Sequence, residues 1–181
     1  LTPDLHFPFI PSFNFLKDFT LCDDVKIFKA FKNCSGFLPD DLQSVLTRNL
    51  AVLREYGVPE SNIRAKIVYS LAVYAARHDK FKRSVDEVKK LGFNPLRDSF
   101  LVALQALVQI SKSTWERKFN MFKQLGWSDH DIVLAFEKFP RCMMLSERKI
   151  RAIMKFYVNA VGLHSLYIAN RPNLLGYSLE K

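Results

Sequence analysis

A glycine recurs in one sequence context at a nearly constant interval along the chain. Gly57, Gly92, Gly126 and Gly162 each follow an apolar or aromatic residue and are separated by 35, 34 and 36 residues. Thr20 takes the same place in an earlier copy, 37 residues before Gly57. Self-similarity at a fixed period of this length is the signature of repeat proteins, in which each unit buries its apolar face against its neighbours. The period predicts about five repeats of 34–37 residues.

Apolar residues precede each of these positions at helical spacing. The positions one and four residues before the glycine are apolar in all five copies, and the position seven before is apolar in four, with Lys155 as the exception. This spacing places the apolar side chains on one face of a helix. A glycine just after such a helix can adopt the left-handed conformation that ends it. Each repeat is therefore predicted to begin with an amphipathic helix.

A second helix is predicted after each glycine, beyond a short polar turn. Ser61 and Ser128 are the candidate N-caps of this second helix in two copies, because each precedes an apolar-periodic stretch. Ser113 and Glu116 have the spacing of a capping box at the first helix of the fourth copy. The repeat is thus a helix, a turn and a helix.

Prolines mark the end of the second helix in the last two copies. Pro140 and Pro172 cannot donate a helical hydrogen bond, so each is predicted to convert the helix end into a short connecting turn. Ser146 is then placed to cap the next helix. Leu71 and Ser35 take the corresponding places in earlier copies, where the stop is less clearly marked.

The apolar runs match a helical period and length better than those of strands, so the fold class is predicted to be all-α. Stacked helical pairs of this period form an α-solenoid with an extended concave surface. We therefore expect residues 1–181 to form a single repeat array with truncated terminal repeats. The tetratricopeptide positions of Trp, Leu-Gly and Tyr are missing from the first helices, which argues against a peptide-binding array of that class.

The charge of the chain favours a polyanionic partner. The formal net charge is +9, of which residues 1–90 contribute +3 and residues 91–181 contribute +6. Neutralisation of phosphates by such a surplus releases counterions, although charge alone does not choose among DNA, RNA and acidic lipid. Charges interrupt every apolar stretch, which excludes a membrane-spanning helix and favours a partner other than a membrane.

No pattern in the chain predicts catalysis, a cofactor or a metal site. Cys22, Cys34 and Cys142 are spaced neither as a disulfide framework nor as a metal site, and a reducing compartment is expected. The four histidines stand apart from the cysteines, and phosphate-loop, dinucleotide and nucleophile-elbow motifs do not occur. The interpretation is a non-enzymatic protein without a small-molecule substrate.

Basic residues recur early in the first helices of the last three copies. Arg148, Arg151 and Lys155 share one helix face, opposite the apolar residues that begin with Ile150. This face is either a solvated surface or a row of phosphate contacts, and the recurrence of cations at comparable positions in successive repeats is what the second interpretation would produce. The candidate nucleic-acid-binding residues are Arg83, Arg117, Lys118, Lys123, Arg141, Arg148, Lys149, Arg151, Lys155 and Arg171. The sixteen phenylalanines, Trp115 and Trp127 are assigned to core packing rather than to stacking on bases.

Several stretches together resemble the mitochondrial transcription termination factor (mTERF) family in its plant-type form, over essentially the whole chain. They are Asn49–Ser61, Val88–Pro95, Ser113–Lys118, Gly126–Asp129, Pro140–Ile150 and Pro172–Lys181. The resemblance implies repeats of two helices closed by a short third turn, a basic groove, and an organellar address in a mitochondrion or chloroplast. It also implies binding of nucleic acid, with duplex DNA favoured over RNA, in transcription termination, transcription regulation or RNA processing.

The chain departs from the family pattern in two respects. Copies one to three lack the characteristic proline, and the third copy has a longer turn with Asp98 in the place of an isoleucine. The chain also starts inside a repeat at Phe9 and stops at Lys181, so a fragment or partial gene product is expected.

Two other functions are compatible with the repeat pattern. A pentatricopeptide-like reader of single-stranded RNA has a similar helix ending at Gly92 and Pro95, but the base-reading positions of that class are not uniform here. A protein-interaction scaffold would bind a partner helix in its groove and would show little dependence on salt.

Overall fold

The computed structural model describes residues 10–34, 38–39 and 41–178. The predictions that involve Phe9, Ser35 and Lys181 lie outside these residues. The described residues contain α-helices and shorter helical turns but no strand, which confirms the all-α class. They fall into two compact units, divided between Glu87 and Val88. The solenoid arrangement of the whole chain stays a prediction.

In the N-terminal unit, which ends at Glu87, the described residues form five helices and most of a sixth. Its core is lined by the apolar faces of these helices, and α3 supplies Leu46, Leu50 and Leu53, each fully buried. The helices are α1 (Ile10–Thr20), α2 (Asp24–Lys32), α3 (Leu42–Glu55), α4 (Glu60–Ile67), α5 (Leu71–Tyr74) and α6 (His78–Lys90), of which α6 runs across the division between the units.

The C-terminal unit, which begins at Val88, contains the remaining helices and three short helical turns. Two of the turns are 3₁₀-helices that begin at Pro140 and Pro172, as predicted for the short third element. The elements are α7 (Asp98–Gln109), α8 (Lys112–Gln124), α9 (Asp129–Lys138), the 3₁₀-helix Pro140–Met144, α10 (Glu147–Lys155), the π-helix Phe156–Ala160, α11 (Ser165–Asn170) and the 3₁₀-helix Pro172–Gly176.

The glycine column has the conformation that its position predicts. Gly57, Gly92, Gly126 and Gly162 have φ angles of 78°, 88°, 90° and 78°, in the left-handed region where a Cβ is unfavourable. Each follows the first helix of its repeat, where it stops the helix and turns the chain.

The first copy departs from the column by one residue. Leu21, rather than Thr20 at the glycine position, is left-handed, with a φ of 57°. The Thr20 hydroxyl donates to the Leu16 carbonyl and the Leu21 amide donates to the Lys17 carbonyl, so the helical hydrogen bonding continues one residue further before the turn. Leu16 is still buried in the predicted register, while the Leu21 side chain is exposed.

The predicted buried stripe is confirmed at its central position in four copies and fails there in the fifth, and the residue directly before the column is only half-buried in those four copies. At the position four before the glycine column, Leu16, Leu53, Val88 and Phe122 are buried, whereas Val158 is exposed. Val158 lies in the π-helix, whose wider turn changes the angular position of the residues within it. The apolar stripe of the last copy is therefore interrupted before its glycine.

The predicted N-caps are half right. Ser128 forms a capping box with Asp131, and Ser146 accepts a hydrogen bond from the Lys149 amide. The prediction for Ser61 is wrong, because α4 begins earlier, at Glu60. The capping box at Ser113 is also wrong, since Ser111 caps α8. Ser111 and Ser113 are two residues apart, and the earlier one gains the bond to the Thr114 amide.

Candidate nucleic-acid interface

The positive charge of the chain is concentrated in one of the two units. Residues 1–87 carry 12 basic and 11 acidic side chains, whereas residues 88–181 carry 15 basic and seven acidic ones. The C-terminal unit thus has a formal net charge of +8 and the N-terminal unit one of +1. Nine of the ten predicted nucleic-acid-binding residues belong to the C-terminal unit, and Arg83 lies on the N-terminal one.

Helix α10 presents the predicted row of cations to solvent. Ile150, Ile153 and Met154 form its buried face. Arg148, Arg151 and Lys155 are exposed on the other side. The Ser146 cap fixes the start of this helix, and therefore the register in which its cations project.

Two of these three cations make no hydrogen bond or ion pair within the described residues. Arg148 and Lys155 have no hydrogen bond or ion pair with another residue in the described part of the chain. Arg151 donates from Nη2 to the Gln124 Oε1 at 3.2 Å, an exposed contact. The guanidinium of Arg148 and the ammonium of Lys155 can therefore meet a phosphate without first breaking an ion pair.

Clefts lie on both sides of α10. On one side, Arg148 lines a cleft of about 280 Å³ together with Lys149, Tyr177 and Ser178. Lys149 donates from Nζ to the Gly176 carbonyl at 3.3 Å, so this cation is partly engaged. We call this space the Arg148 cleft.

On the other side of α10, Arg151 and Lys155 line a second cleft of about 280 Å³. Gln124, Asn159 and Ser165 add amide and hydroxyl groups to its wall. We call this space the Arg151 cleft. The exposed side of α10 is thus bordered by two clefts in which cations lie beside neutral hydrogen-bonding groups.

The cations of α8 form ion pairs. Arg117 donates from Nε to Glu147 Oε1 at 2.5 Å, and this contact lowers the pKa of the Glu147 carboxyl. Lys123 lies 2.7 Å from Asp129 Oδ1 and 5.3 Å from the centre of the Phe119 ring. Exposed ion pairs of this kind contribute little to stability, so a polyanion can compete for both cations.

The remaining exposed candidates are dispersed. Arg171 lies over the Tyr167 ring at 4.3 Å, a cation–π contact that orients its guanidinium. Arg141 follows Pro140 in the 3₁₀-helix, and its side chain is exposed. Arg83 is exposed on α6. These three residues are accessible, and Arg83 belongs to the N-terminal unit.

Lys118 is not at the surface, and this placement corrects the expectation that it contacts phosphate. It is 7% exposed, and its ammonium donates to the carbonyls of Met143 and Leu145 at 2.5 Å each. Burial lowers the pKa of Lys118, and the nearby carboxylate of Glu147 acts in the opposite direction. Its ammonium faces two backbone carbonyls in the interior instead of solvent, so it is removed from the candidate interface.

Asn49 makes the equivalent contacts in an earlier copy. Its amide nitrogen donates to the carbonyls of Tyr74 and Ala76, both at 2.8 Å. These acceptors lie 25 and 27 residues after Asn49, the same separations as those of Met143 and Leu145 from Lys118. The two residues thus perform the same structural task.

Both residues belong to a polar column that the sequence analysis missed. The position eight before the glycine column holds the four buried polar side chains of the described residues, Ser12, Asn49, Ser84 and Lys118. In the fifth copy the same position is Met154, which is also buried. The signal was readable, because a polar residue recurs beside the apolar columns at a position that helical spacing places on the buried face.

The two tryptophans pack in the core, as predicted. Trp127 is buried, stacks on Phe122 at 4.6 Å and donates to the Ser165 hydroxyl at 3.0 Å. Trp115 is half-buried and meets the edge of Phe136 at 5.0 Å. The buried indole of Trp127 is not accessible to a base.

These features define an all-α helical-repeat protein with a strongly basic C-terminal unit. Residues 99–181, slightly less than half of the chain, match the model of the mTERF family. No curated protein and no solved structure gives a significant match to the chain. Within the described residues, no helix has the length and apolar character that crossing a membrane requires.

The matched residues lie wholly within the basic unit. The family match and the charge distribution therefore indicate the same part of the molecule.

Proposed function

We propose that the chain binds nucleic acid through the C-terminal unit, with Arg148, Arg151 and Lys155 of α10 as its central phosphate contacts. The observation that carries the proposal is the exposed row of cations on α10, in a unit with a net charge of +8. Arg117, Lys123, Lys149, Arg141 and Arg171 add positive charge in the same unit, and Arg83 adds it on the N-terminal unit.

Contacts to the phosphate backbone are favoured over base reading as the main source of affinity. Arg148 and Lys155 lack a hydrogen bond or ion pair with any other described residue, which suits them to follow a flexible polyanion. Each neutralised phosphate releases counterions, and this term dominates affinity at low salt. Such contacts position a protein on the backbone but carry little sequence information.

Duplex DNA is the proposed natural ligand, and RNA is the alternative. Its two strands give a higher charge density than a single strand, so a short row of cations meets more phosphates, which favours a duplex over single-stranded RNA. The resemblance to plant-type mTERF proteins supports a role in transcription termination, transcription regulation or RNA processing in a mitochondrion or chloroplast.

A binding titration tests the proposal. Duplex DNA, duplex RNA and single-stranded RNA of equal length are titrated with the chain at two salt concentrations, and the free and bound fractions are measured by fluorescence anisotropy. We expect binding that weakens steeply as salt rises, with the highest affinity for duplex DNA. Absence of salt-dependent binding to all three ligands would refute the proposed function.

A protein-interaction scaffold is the second candidate function. It is favoured by exposed apolar side chains near the end of the C-terminal unit, namely Phe156, Val161 and Tyr167, which are 43–51% exposed. Burial of such a surface by a partner would depend little on ionic strength. The salt dependence of binding therefore separates this candidate from the proposed function.

A further inference from the structure

A buried side chain of α8 makes hydrogen bonds to the backbone just before the start of α10. The Lys118 ammonium donates to the carbonyls of Met143 and Leu145, which are the third and first residues before the Ser146 cap. These two carbonyls lie near the end of the 3₁₀-helix Pro140–Met144 and in the residue that joins this helix to Ser146. The buried lysine therefore ties α8 to the turn that sets the direction of the cation-bearing helix.

The preceding residue of α8 contributes a second tie. Arg117 donates to Glu147, which is the first residue of α10. Two consecutive residues of α8 thus bind three positions around the start of α10. Lys118 binds two of these positions in the interior, and Arg117 binds the third at the surface. A helix held at its first turn in this way keeps a fixed orientation relative to α8.

The comparison with Asn49 shows which property of Lys118 the hydrogen bonds to the two carbonyls require. Asn49 makes the same pair of hydrogen bonds with a neutral amide, ahead of α6. A charge is therefore not required for the task, and the ammonium of Lys118, at 7% exposure, offers none to solvent. What the position requires is a donor that reaches both carbonyls.

We propose that Lys118 is a positioning residue for nucleic-acid binding, which fixes the start of α10 and so the placement of Arg148, Arg151 and Lys155 without touching the ligand. This inference rests on the proposed function. It assigns the buried lysine a role that differs in a measurable way from that of a phosphate contact. Loss of a phosphate contact reduces the salt dependence of binding, whereas loss of positioning reduces affinity at every salt concentration.

The test is K118M in the full chain, because methionine already occupies this column at Met154. K112M is the matched control, since Lys112 lies on the same helix, is exposed and changes the net charge equally. For duplex DNA, we expect K118M to lower affinity about five- to tenfold, with the slope of log affinity against log salt unchanged, and K112M to change neither by much. A slope reduced by about 0.9 would show a phosphate contact and overturn the inference.

The same substitution in a variant that lacks the three cations distinguishes positioning from a general loss of structure. In the R148A/R151A/K155A variant, the cations that Lys118 positions are absent, so adding K118M should have almost no further effect on affinity. The same five- to tenfold loss in both backgrounds would overturn the inference. If the wild-type chain shows no salt-dependent binding, the proposed function itself fails, and this outcome is distinct from the other two.

A conservative variant covers the case in which K118M does not fold. K118Q removes the charge and keeps an amide donor, as Asn49 does in the earlier copy. We expect K118Q to retain near-wild-type affinity and the full salt slope. A slope loss of about 0.9 in K118Q, with helicity intact, would overturn the inference.

Discussion

Replacement of Asn49 by alanine should strongly destabilise the N-terminal unit. Asn49 is completely buried, donates to Tyr74 and Ala76, and lies 2.9 Å from the ring nitrogen Nδ1 of His78. Alanine leaves these three groups without their partner. A buried polar group deprived of its hydrogen bond costs about 1–3 kcal/mol, and water can reach two of the three sites in part. The expected loss of unfolding free energy is therefore about 3 kcal/mol.

Urea denaturation followed by far-ultraviolet circular dichroism measures this loss. Trp115 and Trp127 both lie in the C-terminal unit, so their fluorescence reports that unit separately. Gln43→Ala, on the exposed face of the same helix, is the control and should cost under about 0.5 kcal/mol. A loss below about 1 kcal/mol for Asn49→Ala would refute the argument that this polar column ties the repeat together.

Three further predictions follow from the thiols and the glycine column. In the native chain, Cys22 should react with a disulfide reagent, while the buried Cys34 and Cys142 should react only after denaturation. Three fast-reacting thiols in the native state would contradict the burial of Cys34 and Cys142. Burial raises the pKa of Cys142 from 9.0 to about 12, so the folded chain keeps a proton that the unfolded thiol loses, and stability should fall as pH rises from 9 to 12. Denaturation at several alkaline pH values checks this, and the fall should be shallower in Cys142→Ala. Gly126→Ala should cost about 1 kcal/mol in fluorescence-detected unfolding, because alanine is strained at a φ of 90° even though its Cβ would meet no atom within 4 Å.

The helix boundaries were predictable where one residue type decides them. The glycine column marks left-handed residues in four copies, and Pro140 and Pro172 mark the short 3₁₀-helices. Prediction failed where neighbouring residues compete for the same role. Ser111 rather than Ser113 caps α8, and Leu21 rather than Thr20 is the left-handed residue after α1, where the Leu21 amide still donates to the Lys17 carbonyl.

The candidate site was predictable only in part. The spacing of Arg148, Arg151 and Lys155 correctly placed them opposite the buried residues of α10. The burial of Lys118 was not predicted, because its acceptors lie 25 and 27 residues further along the chain and come close only through packing of α8 against the turn before α10. A lysine is seldom buried without such partners, so its type alone suggests the surface.

The salt dependence of DNA binding by R148A/R151A/K155A tests the central claim most directly. If these three side chains contact phosphates, the slope of log affinity against log salt should fall by about two to three units relative to the wild-type chain. A control variant, K29A/K89A/K90A, removes the same charge from exposed lysines outside the candidate interface and should leave most of the slope intact. An unchanged slope in R148A/R151A/K155A, with helicity intact, would contradict the claim that α10 carries the phosphate contacts.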